Sequence, residues 1–205
     1  MSPSLSHQKA TQALNFFARQ EGGEINRMKA LKLIFFADRY HLRKYGRFVV
    51  GAHYYAMKNG PVGSEVKQVA ELDAEWLDAE TQRYAKAFLR KKSPYIFQSL
   101  AAPDERVFSK SDLEALNFAC EKFGKMGEFK LSEITHSYPE WKRHAQAIGE
   151  GKKRIPMNYH DFLLDPPARF DPCHPLTEQE RAVALELFAD RETFDQHWNG
   201  GGGCH

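Results

Sequence analysis

The chain has 205 residues, of which 42% are hydrophobic and 27% charged, with 29 Lys+Arg against 27 Asp+Glu. This composition excludes collagen-like, coiled-coil and mostly disordered chains and leaves enough apolar material for a core. The near-neutral mean conceals a split: residues 1–100 hold 16 Lys+Arg and 9 Asp+Glu, which leaves 13 and 18 for residues 101–205. Such asymmetry fits either a basic face for an acidic partner or two halves that attract each other.

The stretch Met1 to Lys9 has no apolar core of the kind a signal peptide carries, and Leu33-Ile34-Phe35-Phe36-Ala37 is far shorter than the ~20 residues that span a bilayer. Three cysteines, Cys120, Cys173 and Cys204, make no disulfide framework. The expectation is a soluble, cytoplasmic protein with no membrane partner.

Apolar spacing predicts a helix over 8–19, with Ala10, Ala13, Leu14 and Phe17 on one face and Gly22-Gly23 as its stop. Asn26 is placed to cap a second helix to about Lys44, closed by Gly46 in a left-handed C-cap. Met28, Leu31, Phe35 and Leu42 share its expected buried stripe, and Lys29, Lys32, Arg39, Arg43 and Lys44 its remaining, exposed surface. Arg47 to Met57 is rich in Phe, Val and Tyr and reads as a strand or strand pair. Asn59-Gly60-Pro61 breaks it, and Ser64 caps a third helix through Leu77.

Residues 79–108 are mixed, with strand pieces at 93–100 and 106–108. Ser109 or Ser111 opens a helix closed at Gly124, and short helices follow over 130–137 and 139–148, where Pro139 suits a first turn. Ile155 to Phe170 is mostly irregular, with one turn over Tyr159–Leu164. A Thr177–Glu180 capping box starts a last helix through Ala189, ahead of the tail Gly200-Gly201-Gly202-Gly203-Cys204-His205. The class is mainly α with a minor β component, α+β: a compact multi-helix domain with a small β-hairpin or sheet. The expected organisation is a domain over 1–165 and a helical extension with a Gly-rich tail over 166–205.

Three ordered segments carry a resemblance. Leu31-Lys32-Leu33-Ile34-Phe35-Phe36-Ala37-Asp38-Arg39-Tyr40-His41-Leu42 leads into Tyr45-Gly46-Arg47 and then Tyr55-Ala56-Met57-Lys58-Asn59-Gly60-Pro61-Val62. A later block contains Leu131 to His136, Pro139-Glu140-Trp141 and Ile155-Pro156. Together they resemble the Panacea (SocA-like) antitoxin family over about residues 8–165, with Phe48 where that family often has Pro. The resemblance implies an antitoxin that binds and neutralises a toxin encoded nearby, with no enzymatic activity and no cofactor. It also marks Lys32, Asp38, Gly46, Lys58, Gly60, Pro61, Val62, His136 and Trp141 as motif positions.

Read as chemistry, Asp38 beside the apolar stripe is either a carboxylate of shifted pKa or a staple accepting backbone N–H groups from the loop around Gly60-Pro61-Val62. His136 near Trp141 is either catalytic or a helix-end residue donating to a carbonyl. Lys58 to Ser64 lacks the spacing of a phosphate loop. Cys173-His174 and Cys204-His205 fit no zinc pattern, so no metal is expected.

Arg39, Tyr40, His41, Arg43, Arg47, Tyr54 and Tyr55, around the Gly-Arg turn, are the candidate partner-binding residues, since interfaces favour Arg and aromatics. Self-association is open as well. The competing readings are a nucleic-acid-binding regulator using the basic N-terminal half, with Lys86, Arg90-Lys91-Lys92 and Lys152-Lys153-Arg154 as clusters, and a hydrolase built on Asp38 and His136. Without helix-turn-helix spacing, nucleic acid is the less expected partner.

Overall fold

A computed structural model describes residues 3–72 and 75–186. In chain order they form α1 (Leu5–Gln20), β1 (Glu24–Asn26), α2 (Arg27–Tyr45), β2 (Tyr54–Met57), β3 (Gly60–Gly63), α3 (Ser64–Glu71), α4 (Ala79–Phe88), β4 (Leu89–Lys91), β5 (Ile96–Ser99), α5 (Lys110–Phe123), α6 (Glu128–Thr135), α7 (Pro139–Lys142), α8 (Ala145–Gly149) and β6 (Arg154–Pro156). Short 3-10 turns lie at Glu105–Val107 and Tyr159–Leu163. The class is the expected α+β, with helices enclosing two small antiparallel sheets ordered β1-β5-β4 and β3-β2-β6.

Local signals set the helix ends. The Ser4 side chain accepts the His7 N–H at the start of α1. Asn26 accepts the Met28 and Lys29 N–H groups at the start of α2, and Gly46 closes that helix at φ 69°. At α5 the Ser109 hydroxyl and the Asp112 carboxylate cap each other's backbone N–H.

The stripe expected for α2 is not what forms. Every residue from Ala30 to Arg43 is buried, so α2 is a central helix enclosed on all sides rather than a surface helix with one apolar face. Lys32, Arg39 and Arg43, expected on the exposed remainder, are buried with it. Phe36 of α2 stacks on Phe123 of α5 with centroids 3.9 Å apart, and Tyr40 stacks on Phe118 at 4.3 Å. Phe35 meets Tyr54, Tyr138 and Phe162 at 5.7–5.9 Å. These edge contacts join the helix to the second sheet and to the 3-10 turn at Tyr159–Leu163.

Other departures have local causes. Residues 47–53 form no strand; the Asp38 carboxylate accepts the Val49 and Val50 N–H groups and the Glu65 carboxylate that of His53. The Asn59-Gly60-Pro61 step does not end the β structure. It turns β2 into β3, with Ala56 opposite Pro61, and Pro61 is tolerated there because β3 is an edge strand. Helix α3 stops at Glu71, where Leu72 adopts the left-handed conformation at φ 50°. Helix α4 forms behind Asp78, whose side chain accepts the Glu80 and Thr81 N–H groups and the Thr81 hydroxyl. The strand piece expected at 106–108 is a 3-10 turn.

Residues 178–186 are helical behind the Thr177–Glu180 capping box. The expected continuation to Ala189, and the tail with Cys204-His205, lie outside the described residues. No helix among the described residues is long and apolar enough to cross a membrane.

Candidate functional site

Helix α2 fixes three other parts of the chain by polar contacts, and the motif residues make most of them. Asp38 is fully buried and accepts the N–H groups of Val49 at 2.7 Å and Val50 at 3.0 Å, and the Tyr54 hydroxyl at 2.8 Å. It is therefore a staple, but for residues 49–54 rather than the loop at Gly60-Pro61-Val62. Burial raises its carboxyl to about 6, outweighing the three hydrogen bonds that favour the ionised form.

The residue that holds the Gly60 loop is Lys32, whose buried ammonium donates to the Pro61 carbonyl at 2.7 Å. Burial lowers its pKa to about 7. Gly60, at φ 98°, lies so close that a Cβ there would come within 2.4 Å of Thr135 Oγ1 and 2.8 Å of Lys32 Nζ. Helices α6 and α7 grip the same hairpin. Ser132 donates to the Asn59 carbonyl at 2.9 Å, and Trp141 Nε1 donates to the Met57 carbonyl at 2.9 Å. His136 stacks on the Trp141 ring at 3.8 Å. Its pKa is lowered first by burial and then by the Lys32 charge.

Two arginines hold the chain from Phe162, in the second 3-10 turn, onward. Arg39 pairs with Glu140 at 2.8 Å, both side chains fully buried, and donates to the carbonyls of Phe162 at 2.5 Å and Leu164 at 2.6 Å. Burial raises Glu140 to about 7 despite the neighbouring guanidinium. Arg43 donates to the carbonyls of His174 at 2.7 Å and Phe162 at 3.0 Å and pairs with Asp165.

His41 lies between the Arg47 carbonyl at 2.7 Å and Ser111 at 3.0 Å. Arg47 and Lys9 meet Asp112 at 2.8 and 2.7 Å. Tyr40, Lys44 and Tyr45 converge on Glu114, and these hydrogen bonds hold its carboxyl down at about 2.

This placement corrects the candidate partner surface. Arg39, His41, Arg43 and Tyr54 have 0–2% of their area exposed and Tyr40 has 8%. Their polar groups are consumed inside the fold, so only the half-buried Arg47 and Tyr55 of that set reach solvent. Of the basic residues expected on the exposed sides of residues 26–47, Lys32, Arg39 and Arg43 are inside, Arg27, Lys29 and Arg47 are half-buried and Lys44 is exposed. Arg and Tyr on an apolar helix carry the same composition signal whether they face a partner or their own chain, and spacing does not separate the two.

The hydrolase arrangement is not assembled. Asp38 is enclosed with its acceptor sites occupied by residues 49–54, whereas His136 stacks on Trp141 beside Lys32. Among the described residues no group of three or more His, Cys, Asp or Glu side chains is placed to hold a metal ion. Cys173 is buried against Tyr138, and its thiol is pushed up to about 12. In the basic run 86–92, Arg90 bonds Gln98 and Lys92 pairs with Glu24 at 2.7 Å.

Nothing in the sequence marks Glu140 and Asp112 as partners of buried or half-buried cations, or the groove beside Lys32. The groove, of about 500 Å³, lies between α2, the β2–β3 turn and the turn at 151–153.

No curated protein matches the chain, and no solved structure matches it. The family model for "Antitoxin SocA-like, Panacea domain" matches residues 31–142, more than half of the chain and within the expected span of 8–165. That interval runs from α2 through Trp141 and contains the Asp38, Lys32–Pro61 and Trp141–Met57 contacts. The chain belongs to the SocA-like antitoxin family with a Panacea domain.

Proposed function

We propose that this protein is an antitoxin that binds a toxin encoded beside it and neutralises it by direct contact, without chemistry of its own and in the cytoplasm. The observation that carries this reading is the family match over 31–142. Within that interval the motif side chains Lys32, Asp38 and Trp141 serve the fold, binding Pro61, residues 49–54 and Met57. In this reading the motif builds a scaffold and the partner surface lies elsewhere.

Large exposed aromatics are the natural anchors of such a surface. Phe129 is 78% exposed, Tyr95 68% and Trp76 65%, and the half-buried Arg47 and Tyr55 add polar contact. The test is co-expression with the neighbouring open reading frame. Rescue of growth, loss of rescue in a Trp76→Ala/Tyr95→Ala/Phe129→Ala variant that still folds, and co-purification of the two proteins are expected. Rescue without co-purification would count against direct neutralisation.

A further inference from the structure

The groove beside Lys32 has a consistent electrostatic character. Its floor is apolar: Met28 and Leu31 from α2, Met57 and Val62 from the hairpin, and Ile148 from α8. Its rim is cationic. Arg27, Lys58, Lys67, Lys152 and Lys153 line it, Lys32 lies buried beneath it, and among the described residues its one lining carboxylate is Glu71. Glu71 is already shared between Arg27 at 2.9 Å and Lys67 at 2.5 Å. Lys32 donates to a carbonyl and pairs with no carboxylate.

On the opposite rim, β2 and β6 pair Met57 with Arg154. One step further the strands bring Lys58 and Lys153 to neighbouring positions, with Lys152 next along the turn. All three are exposed, and none has an ion-pair partner among the described residues. Like charges set side by side across strands repel, so the fold gathers positive charge at this end of the two strands.

We propose that this groove binds a nucleoside polyphosphate, with its phosphates on Lys58, Lys152 and Lys153 and its base on the Met28–Met57 floor. Several lysines in one arc suit a multiply charged phosphate chain, because each lysine binds phosphate as a mobile point charge. The one arginine of the rim, Arg27, is already engaged by Glu71. Thioethers pack well against flat rings, which selects a base over an aliphatic body. The volume of about 500 Å³ falls in the range of roughly 300–1,000 Å³ typical of small-molecule sites. The glycines of a phosphate loop have no part in this, consistent with the missing spacing at Lys58 to Ser64.

The test is isothermal titration calorimetry of the full-length protein with ATP and GTP at about 50 mM salt, where phosphate contacts are least screened. Saturable binding is expected with at least one of the two. Adenosine, guanosine and inorganic tripolyphosphate should each bind at least about tenfold more weakly. The Lys58→Glu/Lys153→Glu variant, altered only at exposed positions, should lose at least about tenfold in affinity while its thermal unfolding by circular dichroism matches the parent. No heat from either nucleotide at millimolar concentration would overturn the proposal. So would undiminished binding by the folded variant, or tripolyphosphate binding as tightly as the nucleotide, which would reduce the groove to a patch for any anion. None of these outcomes bears on toxin neutralisation.

Discussion

At the scale of single residues, Asp38 separates a structural from a catalytic reading. Asp38→Ala would leave two buried N–H groups and the Tyr54 hydroxyl without their acceptor, which at about 1–3 kcal/mol per stranded group is expected to cost about 3 kcal/mol or more in urea unfolding. Asp38→Asn keeps an acceptor for the two N–H groups and sheds the buried charge, so it should stay within about 1 kcal/mol of the parent.

Lys32 makes a complementary prediction in pH. Burial lowers it from the ordinary 10.5 to about 7, so between these values the unfolded chain binds more protons than the folded one, and stability rises with pH. Lys32→Met should flatten that rise in thermal unfolding measured between pH 7 and 10. Asp38 acts in a separate window. Its pKa is raised from 3.8 to about 6, so its contribution falls as pH climbs through that interval and is absent in Asp38→Asn.

The sequence pointed to Asp38 as a staple because a lone carboxylate on an apolar stripe needs partners. It could not say which backbone would supply them, since the choice between residues 49–50 and Gly60-Pro61-Val62 is made by tertiary packing.

At the scale of elements, the caps of α2 were legible because they are local: Asn26 accepts N–H groups two and three residues on, and Gly46 supplies the left-handed turn. Its burial was not legible. Lys32, Arg39 and Arg43 look solvent-facing until the carbonyls and carboxylates that receive them are brought in from residues 61, 140 and 162–174. Pro61 was read as a strand breaker, yet as a member of an edge strand it needs no N–H for the ladder. Helix α4 was missed because its apolar positions are few, although Asp78 carried the cap signal.

Two further predictions belong at this scale. Arg39→Ala would strand the buried Glu140 carboxylate and leave the Phe162 and Leu164 carbonyls to Arg43 alone, at an expected cost of about 3–5 kcal/mol. Arg39→Met/Glu140→Met removes both charges together and should cost less than the single change, a sign a double-mutant cycle detects. Gly60→Ala forces a Cβ to within 2.4 Å of Thr135 Oγ1 at φ 98° and should lower stability by about 1–3 kcal/mol, readable as a drop in melting temperature.

At the scale of the whole molecule, the charge split between the two halves of the sequence has an internal explanation. Lys9 and Arg47 pair with Asp112, Arg39 with Glu140, Arg43 with Asp165 and Lys44 with Glu114. The basic first half and the acidic second half are thus bound to each other, several pairs being wholly or half enclosed, where salt screens them poorly. This removes much of the charge that had suggested nucleic acid as a partner. Lys58, Lys152 and Lys153 are among the exposed basic residues to which no such pair falls.

The same internal pairing consumes Arg39 and Arg43 of the expected partner surface, which is why the proposed antitoxin contact falls to exposed aromatics. Neutralisation by direct contact is most directly tested by titrating the purified neighbouring toxin with this purified protein while following toxin activity and co-migration on a sizing column. The expected result is inhibition that saturates at a fixed molar ratio and coincides with a single complex peak. Full toxin activity in excess of this protein, with the two eluting separately, would contradict it.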